Sequence, residues 1–503
     1  MLLNMLLTLS WILYFIIFIG ILFLALYKYM TRNFGYWERL KVDGPKPIPF
    51  YGNFYNIAKM KSTIPQGFKE LYDYTDAPYV GIYVFDKPVL LLRSPELIGD
   101  ILIKDSHLFL DKTIEIPKHN IITQNFLFFQ SMPKWKENRS KFSPCFSPSK
   151  LKGMFPFISG IGEELSQYIA DSPEVIDVSD MSGKYFIEVI ARCIFGIKAK
   201  SFQLKDAGFM KMYKGMFSNT YRNMVSQSAH FFFGELANLL RLNFLDTKIT
   251  DYLFDALYTV IKERKPHDGK AQDLIDIIIY FSKNEGKKEL SQEEIEQLIA
   301  NAMSFLIAGG ETSTTTASNV FYEFALNQDI QDKARQEVLK CIEEYGGITY
   351  EAMIKTEYLE MCFYEAMRKY PTVPHFCRKA ATEYRIRNTD LVLEKGTRIY
   401  IALWPLHNNE RYFPEPQKYD PERFRNFDWS KDGKLVYMPF GAGPRRCLGD
   451  RFGLMAFKVA FMQFLSKYRV ERAEDTPDEL EYDKKSFLLK PKTGYNLVIK
   501  ALY

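Results

Sequence analysis

The stretch Pro439–Gly453 reads PFGAGPRRCLGDRFG and places one thiol, Cys447, among four glycines, three arginines and two phenylalanines. A structural cysteine wants apolar neighbours and a disulfide wants a second cysteine, and this setting offers neither. Gly443 and Gly449 permit tight turning and close backbone approach. From Leu448 onward the sequence, LGDRFGLMAFKVAFMQFLSKY, is apolar with helical character. The thiol is therefore expected at a helix N-terminus, where free N–H groups and the dipole favour a negative sulfur, with Arg445 and Arg446 adding positive charge. The expectation is a thiol of lowered pKa, acting as a nucleophile or as a metal ligand. A nucleophile wants a base beside it, and the six histidines of the chain show no recognisable arrangement for that.

The rest of the composition sets bounds. At 503 residues the chain suits one large domain or two. Apolar residues at 47% and charged residues at 25% are an ordinary globular balance. Aromatics reach 16%, with 41 Phe and 32 Tyr, enough to line a large apolar pocket or to fill an aromatic core. A net charge of +5 without a dense basic run gives little support to a nucleic-acid partner. The cysteines at 145, 193, 341, 362, 377 and 447 are scattered, with no CxxC pair, which points to a reducing compartment and no disulfides.

Residues 1–27 carry no charged side chain and are long enough to span a bilayer as a helix. Lys28, Arg32 and Arg39 follow, placing the downstream side in the cytoplasm. A cleaved signal peptide would show a charged start, a shorter apolar run and a small-residue cleavage site. The expected organisation is a transmembrane signal-anchor over 1–27, a basic, Pro-rich linker over 28–50 and a catalytic domain over 51–503. Pro45, Pro47 and Pro49 hold the linker extended. The sequon at Asn138 is expected to go unused on a cytoplasmic domain.

Residues 80–93 alternate as a hairpin about Asp86 and Lys87, 94–380 read as mainly helical, and 384–403 return to strand character. One more helix follows Cys447, then a β-rich tail. The fold class is α+β, mostly α. One helix is unusually long: Ser291 and Glu294 form a capping box, and the apolar period runs to about Ala325. Its middle, Gly309-Gly310 and then Thr312 and Thr314–Thr316, contradicts helix propensity. The expectation is a local opening that admits a small molecule, with a harmless kink as the alternative.

One thiolate beside arginines suits a cofactor carrying both a metal and carboxylates, and haem fits, iron taking the sulfur and the propionates the arginines. Phe440-x-x-Gly443-x-Arg445-x-Cys447-x-Gly449 matches the haem signature of the cytochrome P450 family in every fixed position. Glu365-Ala-Met-Arg368, Pro421-Glu-Arg423-Phe424, the run Ala308–Ser313 (AGGETS) and Trp135-x-x-x-Arg139 resemble that family's other motifs, in its order. The chain thus resembles a cytochrome P450 over nearly its whole length. The resemblance implies a long central helix over the haem, small β-sheets and an N-terminal transmembrane helix. It implies haem b with Cys447 as the axial thiolate and metal ligand. Trp135, Arg139, Arg378 and Arg445 would reach the propionates, and Phe440, Gly441, Gly449 and Ala308 would border the ring. Glu365, Arg368 and Arg423 would form a buried network serving folding and haem retention.

Phe305, Ala308 and Thr312 fall at i, i+3 and i+7, on one helix face. By the resemblance, Ala308 and Gly309 leave room for dioxygen, Thr312 donates a hydrogen bond and holds a water, and Glu311 brings protons from solvent, the two being the catalytic pair. The plainer readings are a back-bonded Thr312 and a solvated Glu311. Phe126, Phe128, Phe129, Phe305, Ala308, Val373, Pro374, Phe376, Phe487 and Leu488 are the candidate walls of a pocket for lipophilic small molecules. Phe231-Phe232-Phe233 reads either as a patch dipping into the membrane or as a buried aromatic knot. WKENRSKFSPCFSPSKLKGM and MRKYPTVP are similar to microsomal insect enzymes that oxidise foreign compounds. That similarity implies the endoplasmic reticulum membrane, with the catalytic domain on the cytoplasmic side. Electrons would come from NADPH through NADPH-cytochrome P450 reductase, with cytochrome b5 as a second partner. The partner would dock on Lys134, Lys136, Lys141, Arg446 and Arg451. The implied reaction is monooxygenation. The open alternatives are a haem-thiolate isomerase or dehydratase acting on peroxides, which Glu311 and Thr312 argue against, a haem or ligand carrier, and an anchored helical protein in which Cys447 is incidental.

Overall fold

The computed structural model describes residues 2–203, 208–218, 220–263, 275–276, 291–428 and 436–502. Parts of the expected helical run, 264–274 and 277–290, lie outside the described residues. The helices that position the site are α1 (Leu2–Thr31), α2 (Ile64–Tyr72), α3 (Lys134–Phe142), α4 (Val178–Phe195), α5 (Gly208–Met216), α6 (Tyr221–Phe232), α7 (Gln292–Leu326), α8 (Glu357–Lys369) and α9 (Asp450–Lys467). Strands β1 (Tyr79–Val84), β2 (Lys87–Leu92), β3 (Val175–Asp177), β4 (His375–Lys379), β5 (Tyr384–Arg385), β6 (Val392–Leu393), β7 (Arg398–Ala402), β8 (Tyr468–Arg472) and β9 (Asn496–Ala501) make small sheets ordered β1-β2-β7-β4, β3-β9-β8 and β5-β6. The class is α+β and mostly α. The expected β1–β2 hairpin forms, but it turns at Phe85 and Asp86, one residue before the expected Asp86 and Lys87, because Lys87 already pairs with Val84. β4 lies inside the run read as helical; it is held antiparallel to β7, which runs parallel to β2.

α1 is long and apolar enough to cross a membrane, and its side chains stay exposed, Trp11 at 72%. It runs four residues past the expected end at 27. The segment 28–50 is packed against the sheet through Arg32, Asn33 and Trp37. Arg32 pairs with the fully buried Asp86 at 2.7 Å, and Asn33 Nδ2 donates to Asp86 O at 3.0 Å. Trp37 is buried and its Nε1 donates to Ile82 O at 2.9 Å. Phe23 and Tyr27 of α1 meet the Phe50 ring.

α7 starts where the sequence says. Ser291 and Glu294 exchange both capping hydrogen bonds, and the helix runs 35 residues. It does not open at Gly309-Gly310, contrary to expectation; it is unbroken from Gln292 to Leu326. The glycines serve packing instead. A Cβ at 310 would come within 2.7 Å of the Tyr213 ring, and one at 309 within 3.1 Å of Ile190. The hydroxyls that depress helix propensity are absorbed by the helix. Thr312 donates to Ala308 O, Thr316 to Thr312 O and Ser318 to Thr314 O, each one turn back.

Candidate functional site

Between Met438 and α9 the chain doubles back on itself. Cys447 N donates to Phe440 O at 2.8 Å and Gly441 N to Met438 O at 2.8 Å. Gly441 and Gly443 have φ of +76° and +68°, a region glycine enters without strain. A side chain at 443 would also land 1.8 Å from Leu102 O, so close backbone approach fixes the loop against its neighbour. Cys447 stands just before α9, whose N-cap is Gly449. It is the one exposed cysteine among the described residues, and the other five are buried. The surrounding protein pushes the thiol pKa up, outweighing the Gly449 amide, Arg139 and Arg446, which pull it down. This reverses the expected lowering. Desolvation dominates, Asp450 adds to the rise, and Arg446 is turned onto Asp450 at 2.8 Å.

On α7, Ala308 is exposed although Leu306, Gly310 and Glu311 around it are buried, and Thr312, one turn on, is half-buried. Open surface in the middle of a buried helix marks a cleft wall. Phe305 and Leu448 pack on the same small cluster of Leu127, Trp135 and Phe142, which brings α7 to the residue beside Cys447. Phe440 stacks with Phe363 of α8 at 6.2 Å.

The flank of this cleft is cationic. Arg445 donates to Leu110 O and Gln130 O, both at 2.8 Å, and lies 3.8 Å over the Trp135 indole, yet its buried Nη1 has no hydrogen-bond partner. Arg378 is buried and donates to Cys377 O. Lys112, which the sequence did not single out, donates to Phe128 O at 3.1 Å. Burial depresses Lys112, Arg139, Arg378 and Arg445, the last to about 9. Arg445 and Lys112 are lowered further by other cations of the group. Among the described residues, Asp111 lies 3.9 Å from Arg445 and Asp450 acts on Arg139, too few carboxylates for four cations. Buried cations need anions. A group carrying two carboxylates and a metal that accepts sulfur therefore fits the residues present: the surplus cations and the orphaned Nη1 take the carboxylates, and the Cys447 thiol takes the metal.

Beneath the loop, Arg368 is fully buried. Nε and Nη2 donate to the two oxygens of Glu365 at 2.7 and 2.8 Å, Nη1 to His407 O at 3.1 Å and Nη2 to Pro416 O at 2.8 Å. Arg423 lies 3.4 Å from Glu365 and donates to Glu415 O. Burial pushes the Glu365 carboxyl up, against the pull of Arg368. His407 Nε2 accepts from Met438 N at 3.2 Å, which joins this network to the turn that carries Cys447.

The other site residues fall into distinct surroundings. Glu311 is not solvated: Tyr213 donates to it at 2.9 Å and Lys490 pairs with it at 2.7 Å. Thr312 is back-bonded to Ala308. Phe126 is 2% exposed, so it backs the cleft wall, parallel to Phe129, instead of forming the surface. Phe128 is 44% exposed, with Lys112 Nζ 3.0 Å from its ring centre. Phe305 packs edge-on against Phe142 and Phe146. Val373 and Phe376 are half-buried beside the β2–β7 core, and a Cβ at Gly441 would touch Phe376 at 3.5 Å. Phe487 stacks on Phe231 with centres 3.9 Å apart, Phe232 is 3% exposed, and Phe233 stacks on Phe85. Of the Phe231–Phe233 run, Phe232 is thus buried and Phe231 and Phe233 are half-buried, packed by the tail and the β1–β2 turn. Lys134, Lys136, Lys141, Arg446 and Arg451 are all exposed. Asn138 is buried and bonded to Gln130, closed to glycosylation.

The cytochrome P450 family model matches residues 42–498. The chain belongs to the cytochrome P450 family. It is similar to cytochrome P450 6j1 of Blattella germanica, 33% identical over 482 residues, covering 95% of each chain. It is also similar to cytochrome P450 6B1 of Papilio polyxenes, 32% identical over 500 residues, covering 96% of this chain and 98% of that one. A third relative, the probable cytochrome P450 6a13 of Drosophila melanogaster, is 30% identical over 490 residues, covering 95% and 97%. This cytochrome P450 is accordingly a haem-thiolate monooxygenase, an oxidoreductase with insect relatives. Lys112, Tyr213 and Lys490 carry no local motif; only the folded chain brings them to the cleft or to Glu311.

Proposed function

We propose that this cytochrome P450 inserts one oxygen atom of dioxygen into lipophilic small molecules, foreign compounds among them, while anchored by α1 in the endoplasmic reticulum with its domain in the cytoplasm. Electrons come from NADPH through a membrane-bound reductase, with cytochrome b5 as a second donor, docking on the exposed basic face of Lys134, Lys136, Lys141, Arg446 and Arg451. The observation that carries the reading is the under-compensated cation group, Arg139, Arg378, Arg445 and Lys112, beside the exposed Cys447 thiol, with an open Ala308 on the buried α7. Haem bound there supplies the reductive activation of dioxygen. Cys447 is its metal ligand, and the Gly449 amide and Arg139 favour the thiolate. Trp135, Arg139, Arg378, Arg445 and Lys112 hold its carboxylates. Phe440, Gly441, Gly449 and Ala308 border the ring, and Glu365, Arg368 and Arg423 keep the loop in place. Thr312 spends its own proton on Ala308 O, so it offers the cleft a hydroxyl oxygen that orients a water. Glu311 is the acid from which protons pass to that water. Phe128, Phe305, Val373, Phe376 and Phe487, backed by Phe126, form the apolar walls. The insect relatives and the WKENRSKFSPCFSPSKLKGM and MRKYPTVP segments support the substrate class.

The test is spectroscopic first. Reduced protein under carbon monoxide is expected to show the strongly red-shifted haem band of thiolate ligation, and Cys447→Ala is expected to lose it. A normal imidazole-type band in the parent protein would end the proposal. A panel of toxins, fatty acids and steroids, supplied with reductase and NADPH, then reads the substrate class. In the same assay Thr312→Ala is expected to consume oxygen without matching product.

A further inference from the structure

A separate cavity of about 240 Å³ opens where the linker joins the domain, and none of its wall residues belongs to the cleft. It is smaller than the pockets of drug-sized ligands, which run to about 300–1,000 Å³. Lys46 and Ile48 of the linker, Tyr55 and Asn56 just after it, Glu70 of α2 and Tyr74 beyond α2 stand around it. The chain fixes this wall tightly. Asn53 Nδ2 donates to Pro45 O at 3.0 Å and Lys46 O at 3.3 Å, while its Oδ1 accepts from Tyr83 N at 2.7 Å, so the linker is tied to β1. Ile48 and Gly52 exchange backbone hydrogen bonds at 2.8 Å in both directions, with Gly52 at φ +59° closing the loop. That loop carries Phe50 onto Phe23 and Tyr27, in the last apolar turns of α1 before Lys28. With α1 in a bilayer, the cavity stands at the level of the lipid headgroups.

The cavity has charges of both signs that the protein leaves uncommitted. Among the described residues the exposed Lys46 ammonium makes no hydrogen bond or ion pair. Glu70 Oε2 accepts from Asn56 Nδ2 at 3.0 Å, which leaves Oε1 open. Two rings in this corner already hold ammonium groups: Lys59 Nζ lies 5.2 Å from the Tyr51 ring centre and Lys61 Nζ 4.9 Å from that of Tyr55. Among the described residues Tyr74, 48% exposed, has neither a cation nor another ring on its face.

We propose that this cavity binds the phosphocholine headgroup of a bilayer phospholipid, Lys46 taking the phosphate while Glu70 and the Tyr74 ring take the quaternary ammonium. The inference rests on reading α1 as a membrane anchor. A quaternary ammonium donates no hydrogen bond, so it asks for an anion and a ring face. The Asn53 and Asn56 amides are spent on the protein itself and do not compete for either end of the ligand. Ile48, 44% exposed, offers apolar surface to the glycerol ester part of the lipid. A bound headgroup ties the linker to α2 and adds a lipid-selective contact to the unselective one of the anchor.

The experiment titrates full-length holoenzyme in a maltoside detergent, by calorimetry, with dihexanoylphosphatidylcholine, dihexanoylphosphatidylglycerol and free phosphocholine. The parent is compared with Lys46→Met, Glu70→Gln and Tyr74→Leu, all at exposed positions. Glu70→Gln keeps an oxygen for Asn56 while removing the charge. The parent is expected to bind the phosphatidylcholine saturably, and each variant to weaken that binding about fivefold. Glu70→Gln is not expected to weaken phosphatidylglycerol, because removing a negative charge cannot repel an anion. Equal binding of the two lipids by the parent, or unchanged phosphatidylcholine affinity in Glu70→Gln and Tyr74→Leu, overturns the site. Free phosphocholine that binds as tightly as the lipid overturns the membrane as its source. Flotation with phosphatidylcholine vesicles is read alongside. A parent protein that does not float overturns the anchor reading and the headgroup assignment with it. Flotation of parent and variants alike, with titrations that do not distinguish them, overturns the site and leaves the anchor standing.

Discussion

The base of the cleft and its aromatic roof are both buried, but they are held by different physics. At the base, Arg368 spends its guanidinium on Glu365, His407 O and Pro416 O, and each bond has a direction and a length. In the roof, Phe231, Phe232, Phe487, Phe68 and His375 meet ring to ring at centre distances from 3.9 to 6.2 Å and at many angles. A charge network of this kind has one acceptable geometry, and losing a member strands a charge. Ring contacts are worth about 0.5–1.5 kcal/mol each beyond area and tolerate re-angling. On the proposed function, the end that would grip one cofactor is the exacting one, and the end that would face variable lipophilic molecules is the forgiving one.

The sharpest way to break that contrast is Arg368→Met. It leaves Glu365, with no open surface, without its cation, and is expected to cost about 3–5 kcal/mol. Chemical denaturation should show a collapsed midpoint and the purified protein poor haem retention. A loss under about 1 kcal/mol would erase the distinction.

Each region also holds one buried histidine, His407 below and His375 above, and burial pushes both down to about 3. Between that value and 6.5 the unfolded chain binds protons that the folded one refuses. Stability is therefore complete above pH 6.5 and falls with acidification, by up to about 1.4 kcal/mol per pH unit for each histidine. His375→Phe is expected to remove its share, because its partners are the rings of Phe68, Phe232 and Tyr400. His407→Phe is expected to destabilise at every pH, because Nε2 accepts from Met438 N. Denaturation at pH 7 and pH 5 measures both, and an unchanged acid loss in His375→Phe would count against this assignment.

The smallest effect belongs to the roof itself. Phe487→Leu keeps an apolar side chain among rings that can re-angle, and is expected to lower stability by about 1.5 kcal/mol or less while changing which bulky apolar ligands bind, read by spectral titration. A loss matching that of Arg368→Met would show that the roof is as exacting as the base.

Much of the base could be read along the chain, because its signals are local. Gly441 and Gly443 mark positive-φ turns, Glu365 and Arg368 lie one turn apart, and Ser291 with Glu294 announces α7. What escaped depends on partners far away in sequence. β4 has five residues, too few to show a strand period inside a helical neighbourhood. The fate of Gly309-Gly310 was decided by Ile190 and Tyr213, and that of the Phe231–Phe233 run by Phe487 and Phe85. The Cys447 thiol shows the limit most plainly. Nearby charge is written in the sequence, but the desolvation by surrounding protein that outweighs it is not.

The junction after α1 has a mechanical consequence. With Arg32 clasping Asp86 and Trp37 bonded to β1, helix and domain share one rigid attitude. A bilayer that changes the tilt of such a helix to match its own thickness would swing the whole domain through the same angle. Lipid thickness thereby becomes a lever on where the cleft mouth points, and polarised fluorescence from a labelled domain in thin and thick vesicles would read the rotation directly.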